Sequence, residues 1–302
     1  METKVDAQVF QSLVEGPVKV EITNFIKEQD LKFRNLTTNE TQDLIEELIE
    51  NLTMPLKRSG PDRKTDWDVG WLENFEHFSQ SKTMDDLVPR YFGKSPYFRI
   101  NGNFVHSNSK DFELTLLHAL VFHYSNRFLS DVTSLIELGC GTGHNLRFLR
   151  NLGWTNPLMG CDWSEGSKRI FEEFQDIDFQ FINFFDPNTF PDIQRDAGVL
   201  TVASLEQAGE SYSELVQFII EKKVSRIVHI EPIYELTNFG SIPDVLSGLY
   251  MKRRGYLSKY LNYLRHLEDN GMIKILLQVP SRLGSKYING YSVIVWEPAV
   301  KT

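Results

Sequence analysis

Cysteine is scarce in this chain: Cys140 and Cys161 are the two in 302 residues. Two thiols exclude a disulfide framework and a four-thiolate zinc site. Both stand in apolar, strand-like contexts and read as buried free thiols of a reducing compartment. Long apolar runs are missing too, since none approaches the roughly 20 residues needed to span a bilayer. The start, "METKVDAQVF", lacks the basic-then-apolar order of a signal peptide. A cytoplasmic protein without membrane association is expected, and the glycosylation-like triplets at Asn35, Asn39 and Asn51 read as accidental. Positive charge is in short supply, with 32 Lys and Arg against 41 Asp and Glu and a formal net charge of −9. That balance argues against a surface built to hold nucleic acid. No HxxxH, HxH or paired-acid cluster stands near the strand ends considered below, so no metal is expected. What remains is ordinary globular composition, 41% hydrophobic and 24% charged, without internal repeats.

Two regions differ in pattern. Residues 1–125 read as a helical N-terminal cap or lid with a short hairpin. In "TTNETQDLIEELIENL", Leu44, Ile45, Leu48, Ile49 and Leu52 recur at helical spacing, with Thr and Asn available as caps. In "WDVGWLENFEHF", Trp67, Trp71, Phe75 and Phe78 lie roughly on one helical face, which either packs on the core or walls a substrate site. "YFRINGNFVH" carries Asn101-Gly102, the strongest short hairpin signal. A helix follows, capped by Ser109 or Asp111, with Leu114, Leu117, His118 and Val121 on one face. Residues 126–302 then alternate strands and helices, which predicts parallel strands with crossovers. The last two strand-like runs are joined by "PSRLGSKYINGY", too short for a crossover helix, which predicts a terminal antiparallel hairpin. A helical insertion is expected at about 240–270, where Tyr256, Tyr260, Tyr263 and Leu264 form a stripe beside Lys252, Arg253 and Arg254. That face suits an anionic or sugar-bearing ligand, or is simply a solvated helix face.

"LIELGCGTGHN", at 135–145, places Gly139, Gly141 and Gly143 after a strand and before a helix, the general plan of nucleotide sites at strand ends. A triphosphate loop needs Gly-Lys-Ser/Thr, whereas His144 and Asn145 follow here. A dinucleotide fingerprint wants Gly or Ala where Leu146 stands; a nicotinamide-dependent dehydrogenase stays open as the weaker reading. "E-L-G-C-G-T-G", with acidic Glu137 at the strand end, resembles the first motif of class I S-adenosylmethionine-dependent methyltransferases. A carboxylate suits a cationic ligand and repels a pyrophosphate. The resemblance covers about residues 132 to 298. It implies an α/β fold with a Rossmann-like, seven-stranded, mostly parallel sheet and S-adenosyl-L-methionine as cofactor.

Further site residues follow from that resemblance. Asp162 in "GCDWS" is expected on the ribose hydroxyls, or as a helix cap, with Trp163 over adenine. Asn183 and Phe184 in "FINFFDP" take the adenine-side positions, with Asp186 a rival to Asn183. Ser204, Leu205 and Glu206 in "TVASLEQAGE" line the methyl and the acceptor. Arg99 is a candidate for the methionine carboxylate or for a surface salt bridge. Candidate bases are Glu206, His229 and Glu231, the last two flanking Ile230 on one strand and sharing a face. Each has a structural alternative: a satisfied core histidine for His229, backbone hydrogen bonds for Glu231. His144 is either functional or a helix cap. The expected activity is O- or N-methylation of a small-molecule acceptor, with an impression of sugar or specialised-metabolite chemistry from "YFRINGNFV" and the "EP" after the fifth strand. A cofactor-binding scaffold without catalysis is the non-enzymatic alternative.

Overall fold

A computed structural model describes residues 2–299. Strands β5 (Leu135–Leu138), β6 (Leu158–Asp162), β7 (Asp178–Phe181), β8 (Gly198–Val202), β9 (Arg226–Glu231), β10 (Ile273–Val279) and β12 (Ser292–Pro298) form one sheet in the order β10-β12-β9-β8-β5-β6-β7. β5 and β8 are buried along their whole length, the pattern of parallel strands covered on both faces. Helices α5 (Phe112–Phe128) and α6 (His144–Asn151) supply one apolar layer, and α8 (Ser213–Lys222) and α10 (Tyr260–Asp269) the other. β5, β6 and β7 pair in parallel outward, and the chain then returns to lay β8 and β9 on the opposite side of β5. β12 enters antiparallel between β9 and β10. The fold is therefore the α/β, Rossmann-like, seven-stranded sheet expected, with its terminal antiparallel pair. The strand order reverses beside β5, the place where open α/β sheets leave a crevice at their carboxyl ends.

A second, antiparallel sheet was not anticipated. It joins β1 (Thr3–Lys4), β2 (Lys32–Asn35), β4 (Asn103–His106), β3 (Tyr97–Ile100) and β11 (Leu283–Ser285) in that order. The expected hairpin at Asn101-Gly102 joins β3 to β4, both turn residues having positive φ. β11 lies inside the connector of the terminal pair and hydrogen-bonds to β3, so this "loop" stitches the large sheet to the N-terminal layer. Helices α1 (Ala7–Leu13) and α2 (Val20–Glu28) pack in the same layer. Sandwiched between the two sheets, α5 is buried nearly all round from Phe112 to Ser125 instead of on the one expected face.

Helix α3 (Thr38–Thr53) opens with a capping box between Thr37 and Glu40 and buries Leu44 and Leu48 against Leu246 of α9 (Ile242–Arg254). Helix α4 (Lys64–Ser81) divides its aromatic face between two tasks. Phe75 and Phe78 pack against Ile170 and Phe174, whereas Trp67 stacks on Trp71, centroids 5.4 Å apart, over the crevice. α4 rests directly on helix α7 (Glu165–Glu172). A Cβ on Gly166 would lie 2.5 Å from the Leu72 nitrogen, so only glycine lets the two backbones approach this closely. Asp68 of α4 also accepts the Glu165 N–H at 3.2 Å, a carboxylate at a helix N-terminus. Among the described residues no helix is long and apolar enough to cross a membrane.

Candidate active site

The loop after β5 turns through Gly139, Gly141 and Gly143, all with positive φ. A side chain on Gly141 would meet Trp71 at 2.9 Å, so the glycine admits the α4 helix over the loop as well as a ligand under it. Thr142 Oγ1 donates to the Leu87 carbonyl at 2.5 Å and ties the loop to the segment after α4. Beneath lies a crevice partly open to solvent. The ends of β5, β6, β7 and β8 supply Glu137, Asp162, Phe184 and Ser204 to its wall, and α4 supplies Trp67 and Trp71.

The cavity's charges are of one sign. Glu137 and Asp162 line it, and among the described residues no lysine or arginine does. Asp162 Oδ2 accepts the Gly141 N–H at 2.9 Å and Oδ1 accepts the Ser164 N–H at 3.0 Å, which orients the carboxylate at the end of β6. Ser164, not Asp162, caps α7. Burial pushes Asp162 up to about 6, against the pull of those two amides. Burial likewise pushes Glu137 up to about 8, the Asn145 bond opposing it and the fields of Asp162 and Glu231 adding to it. Asn145 Nδ2 donates to Glu137 Oε1 at 2.7 Å. Glu137 Oε2, Asn145 Oδ1 and His144 Nε2 are buried without partners. Unpaired buried acceptors are unfavourable, and here they belong to residues of one wall, where a ligand's ammonium group would satisfy them. Trp163 lines the cavity beside Phe185, ring centroids 6.1 Å apart.

Other expected site residues stand elsewhere. Arg99 is buried away from this cavity; its guanidinium donates to the Pro243 carbonyl and Asn289 Oδ1, both at 2.9 Å, and lies over the Phe104 ring. It joins β3 to α9 and to the connector before β12. Asn183 turns its amide onto its own loop, Oδ1 accepting the Phe185 N–H at 3.0 Å, and neither it nor Asp186 lines the cavity. Ile182 and Phe185 do so in addition to Phe184. The Leu205 side chain is in the core.

His229 faces Thr201, Tyr260 and Trp296 in the core, not the cavity. The indole N–H of Trp296 can only donate, so Nε2 must accept and the proton sits on Nδ1, shared with Thr201. Burial lowers His229 to about 3 and keeps it neutral. Tyr260 and Leu264, expected on a surface stripe, are fully buried in this network's core instead. Glu231 accepts the backbone N–H groups of Ser204 and Leu205 at 3.1 and 3.0 Å, and that of Glu206 at 3.3 Å. It thereby holds the turn after β8, the structural alternative weighed for it.

That turn aims Glu206 into a second chamber of about 460 Å³, which meets the first at Trp67, Tyr91, Ala203 and Gln207. Gln207 Nε2 donates to Glu206 Oε1 at 3.0 Å. Burial, helped by the field of Glu231, pushes Glu206 up to about 8. Glu113 of α5 lines the same chamber, accepts the Tyr291 hydroxyl at 2.9 Å and is pushed up to about 7 by burial. Sequence patterning passed over Glu113 because it sits one residue inside a helix and meets Tyr291 only through the fold. Gln207 adjoined the three residues singled out after β8 and lacked only an ionisable group to draw notice.

Strand order, glycine loop and the acid at the end of β6 make up the Rossmann-like α/β arrangement. No protein-family model matches the chain. No curated protein matches it in sequence. Solved structures similar to it include PigF with SAH, at 14% identity and a TM-score of 0.47, covering 85% of this chain and 69% of that one. An O-methyltransferase family protein from Burkholderia thailandensis is similar at 12% identity and a TM-score of 0.43, covering 65% of this chain and 62% of that one. The plantazolicin methyltransferase BpumL, in complex with monoazolic desmethylPZN analog and SAH, is similar at 13% identity and a TM-score of 0.42, covering 79% of this chain and 98% of that one.

Proposed function

We propose that the chain is an S-adenosylmethionine-dependent methyltransferase acting on a hydroxyl or amine of a small molecule. The observation that carries this reading is the make-up of the first cavity: among the described residues two buried acids and no lysine or arginine surround a glycine loop. An arriving ammonium group would displace the proton that burial keeps on Glu137. Such a wall repels a pyrophosphate and attracts a ligand bearing ammonium and sulfonium charges, which disfavours the nicotinamide-dependent dehydrogenase. The residues present fit the cofactor. Glu137 and Asn145 would hold the methionine amino group with acceptors that now lack partners. Asp162 would take the ribose hydroxyls on the lone pairs left free by Gly141 and Ser164, and Trp163 with Phe184 would flank adenine.

When bound, the cofactor would supply an electrophilic methyl group for the acceptor's oxygen or nitrogen, with its sulfur as the leaving group. The chain's own work is placement, exclusion of water and proton removal. Trp67 and Trp71 cover the loop, and the N-terminal segment acts as lid over the core of residues 126–302. The junction at Ala203 and Gln207 brings the two chambers together. Glu206, beside that junction, takes the acceptor's proton; its raised affinity for protons makes it a stronger base than an exposed carboxylate.

Calorimetric titration tests the reading. S-adenosylhomocysteine is expected to bind with one-to-one stoichiometry and NAD not at all. Heat from NAD alone would overturn it in favour of a dehydrogenase.

A further inference from the structure

The second chamber has a charge opposite to that of the molecule. The chain carries a formal −9, yet Arg63, Lys94, Arg254 and Lys286 line this chamber against Glu113 and Glu206. Lys286 is neutralised by Glu47, and Lys94 is exposed at the edge. The arginines differ. Arg254 is half-buried at the end of α9; its Nη1 donates to the Lys57 carbonyl, its Nε is buried without a partner, and its guanidinium lies over Tyr256, which stands between it and Glu206. Arg63 packs over the Trp67 ring and meets Asp66 on one side, while its Nη1 is buried without a partner. Both guanidiniums lie near enough to Tyr250 to act on its hydroxyl. Arg254 carries a charge that no carboxylate pairs directly among the described residues, and Arg63, though paired with Asp66, keeps an unmatched N–H donor; together they form a receptor for an anion. Beside them Tyr250 stacks on Tyr287, centroids 5.2 Å apart and nearly parallel, giving the chamber a flat wall.

Resting on the methyltransferase reading, we propose that the methyl acceptor is a planar small molecule bearing an anionic group, a carboxylate, phosphate or sulfate. Arg254 and Arg63 grip that group and one outer ring face of the Tyr250–Tyr287 stack covers its plane, while the nucleophile turns toward Glu206 and the junction at Ala203 and Gln207. An anionic substrate is drawn out of an acidic protein's surface field into a locally positive chamber, which also rejects cations of the same shape.

Benzoate and benzylammonium, matched in shape and opposite in charge, are the probes. Calorimetry on the full chain is expected to show benzoate binding at least about tenfold more tightly than benzylammonium. Arg254→Gln and Arg63→Gln should each weaken benzoate by about tenfold, the loss of one charge-assisted contact. S-adenosylhomocysteine affinity should stay within about twofold in both variants, showing that the fold and first cavity are intact. Absent benzoate binding, equal or tighter benzylammonium binding, or unchanged benzoate affinity in both variants overturns the proposal. Failure of S-adenosylhomocysteine to bind the unsubstituted chain overturns the methyltransferase reading instead, and the benzoate comparison still reports the chamber's charge preference.

Discussion

Asp162→Ala is expected to weaken S-adenosylhomocysteine binding by about 1–3 kcal/mol, roughly five- to 150-fold. The carboxylate is expected to receive both ribose hydroxyls, and nothing else at the end of β6 can replace two charge-assisted acceptors. It also holds the Gly141 N–H, so the alanine variant loosens the loop as well as losing ligand contacts. Urea denaturation of the same variant separates these effects, because loss confined to the loop lowers the unfolding midpoint without needing ligand. Unchanged affinity would refute the ribose role and leave Asp162 as a purely structural residue.

Glu206→Gln has the second large effect. Its kcat is expected to fall by about 10²- to 10⁴-fold, the range for losing a positioned base, with S-adenosylhomocysteine affinity unaltered. The unsubstituted enzyme's rate should rise with pH and level off above about 8, where the carboxylate is deprotonated. The sign follows from burial, which favours the neutral acid below that pH and so removes the base. Glutamine cannot titrate, so the variant should lose this limb of the profile. An unaltered kcat with an unaltered pH profile would exclude Glu206 as the base and turn attention to Glu113, raised to about 7 in the same chamber. Absent turnover in the unsubstituted chain, despite cofactor binding and with anionic acceptors supplied, would favour the scaffold alternative.

The parts of the fold set by local pattern were legible in the chain. Glycines at 139, 141 and 143 between an apolar run and a helix announce the loop, and the acid at 162 follows at the next strand end because βαβ units space their strand ends regularly. The register after β7 was not legible. "INFF" offers four side chains to a turn in which the Thr189 hydroxyl donates to the Asp186 carbonyl and accepts the Asn183 N–H; Asn183 Oδ1 accepts the Phe185 N–H, and Phe184 and Phe185 line the cavity instead. His229 and Glu231 do share a spacing on β9, but spacing cannot say what stands opposite. Trp296 and Tyr260 arrive from distant segments to satisfy the histidine, and the turn after β8 brings its amides to the glutamate. β11 was hidden for the same reason: three residues, "LGS", carry no periodicity and become a strand only because β3 lies beside them. The second chamber is the extreme case, since Arg63, Glu113, Arg254 and Lys286 come from four separate segments.

The account's central claim is that the cavity under the glycine loop holds a sulfonium cofactor whose methyl group faces the second chamber. A crystal structure of the chain soaked with S-adenosylhomocysteine tests it most directly. The account predicts the ribose at Asp162, the amino group at Glu137 and Asn145, and the sulfur directed toward Ala203 and Gln207. Ligand bound elsewhere, or bound here with its sulfur turned away from that junction, would contradict it.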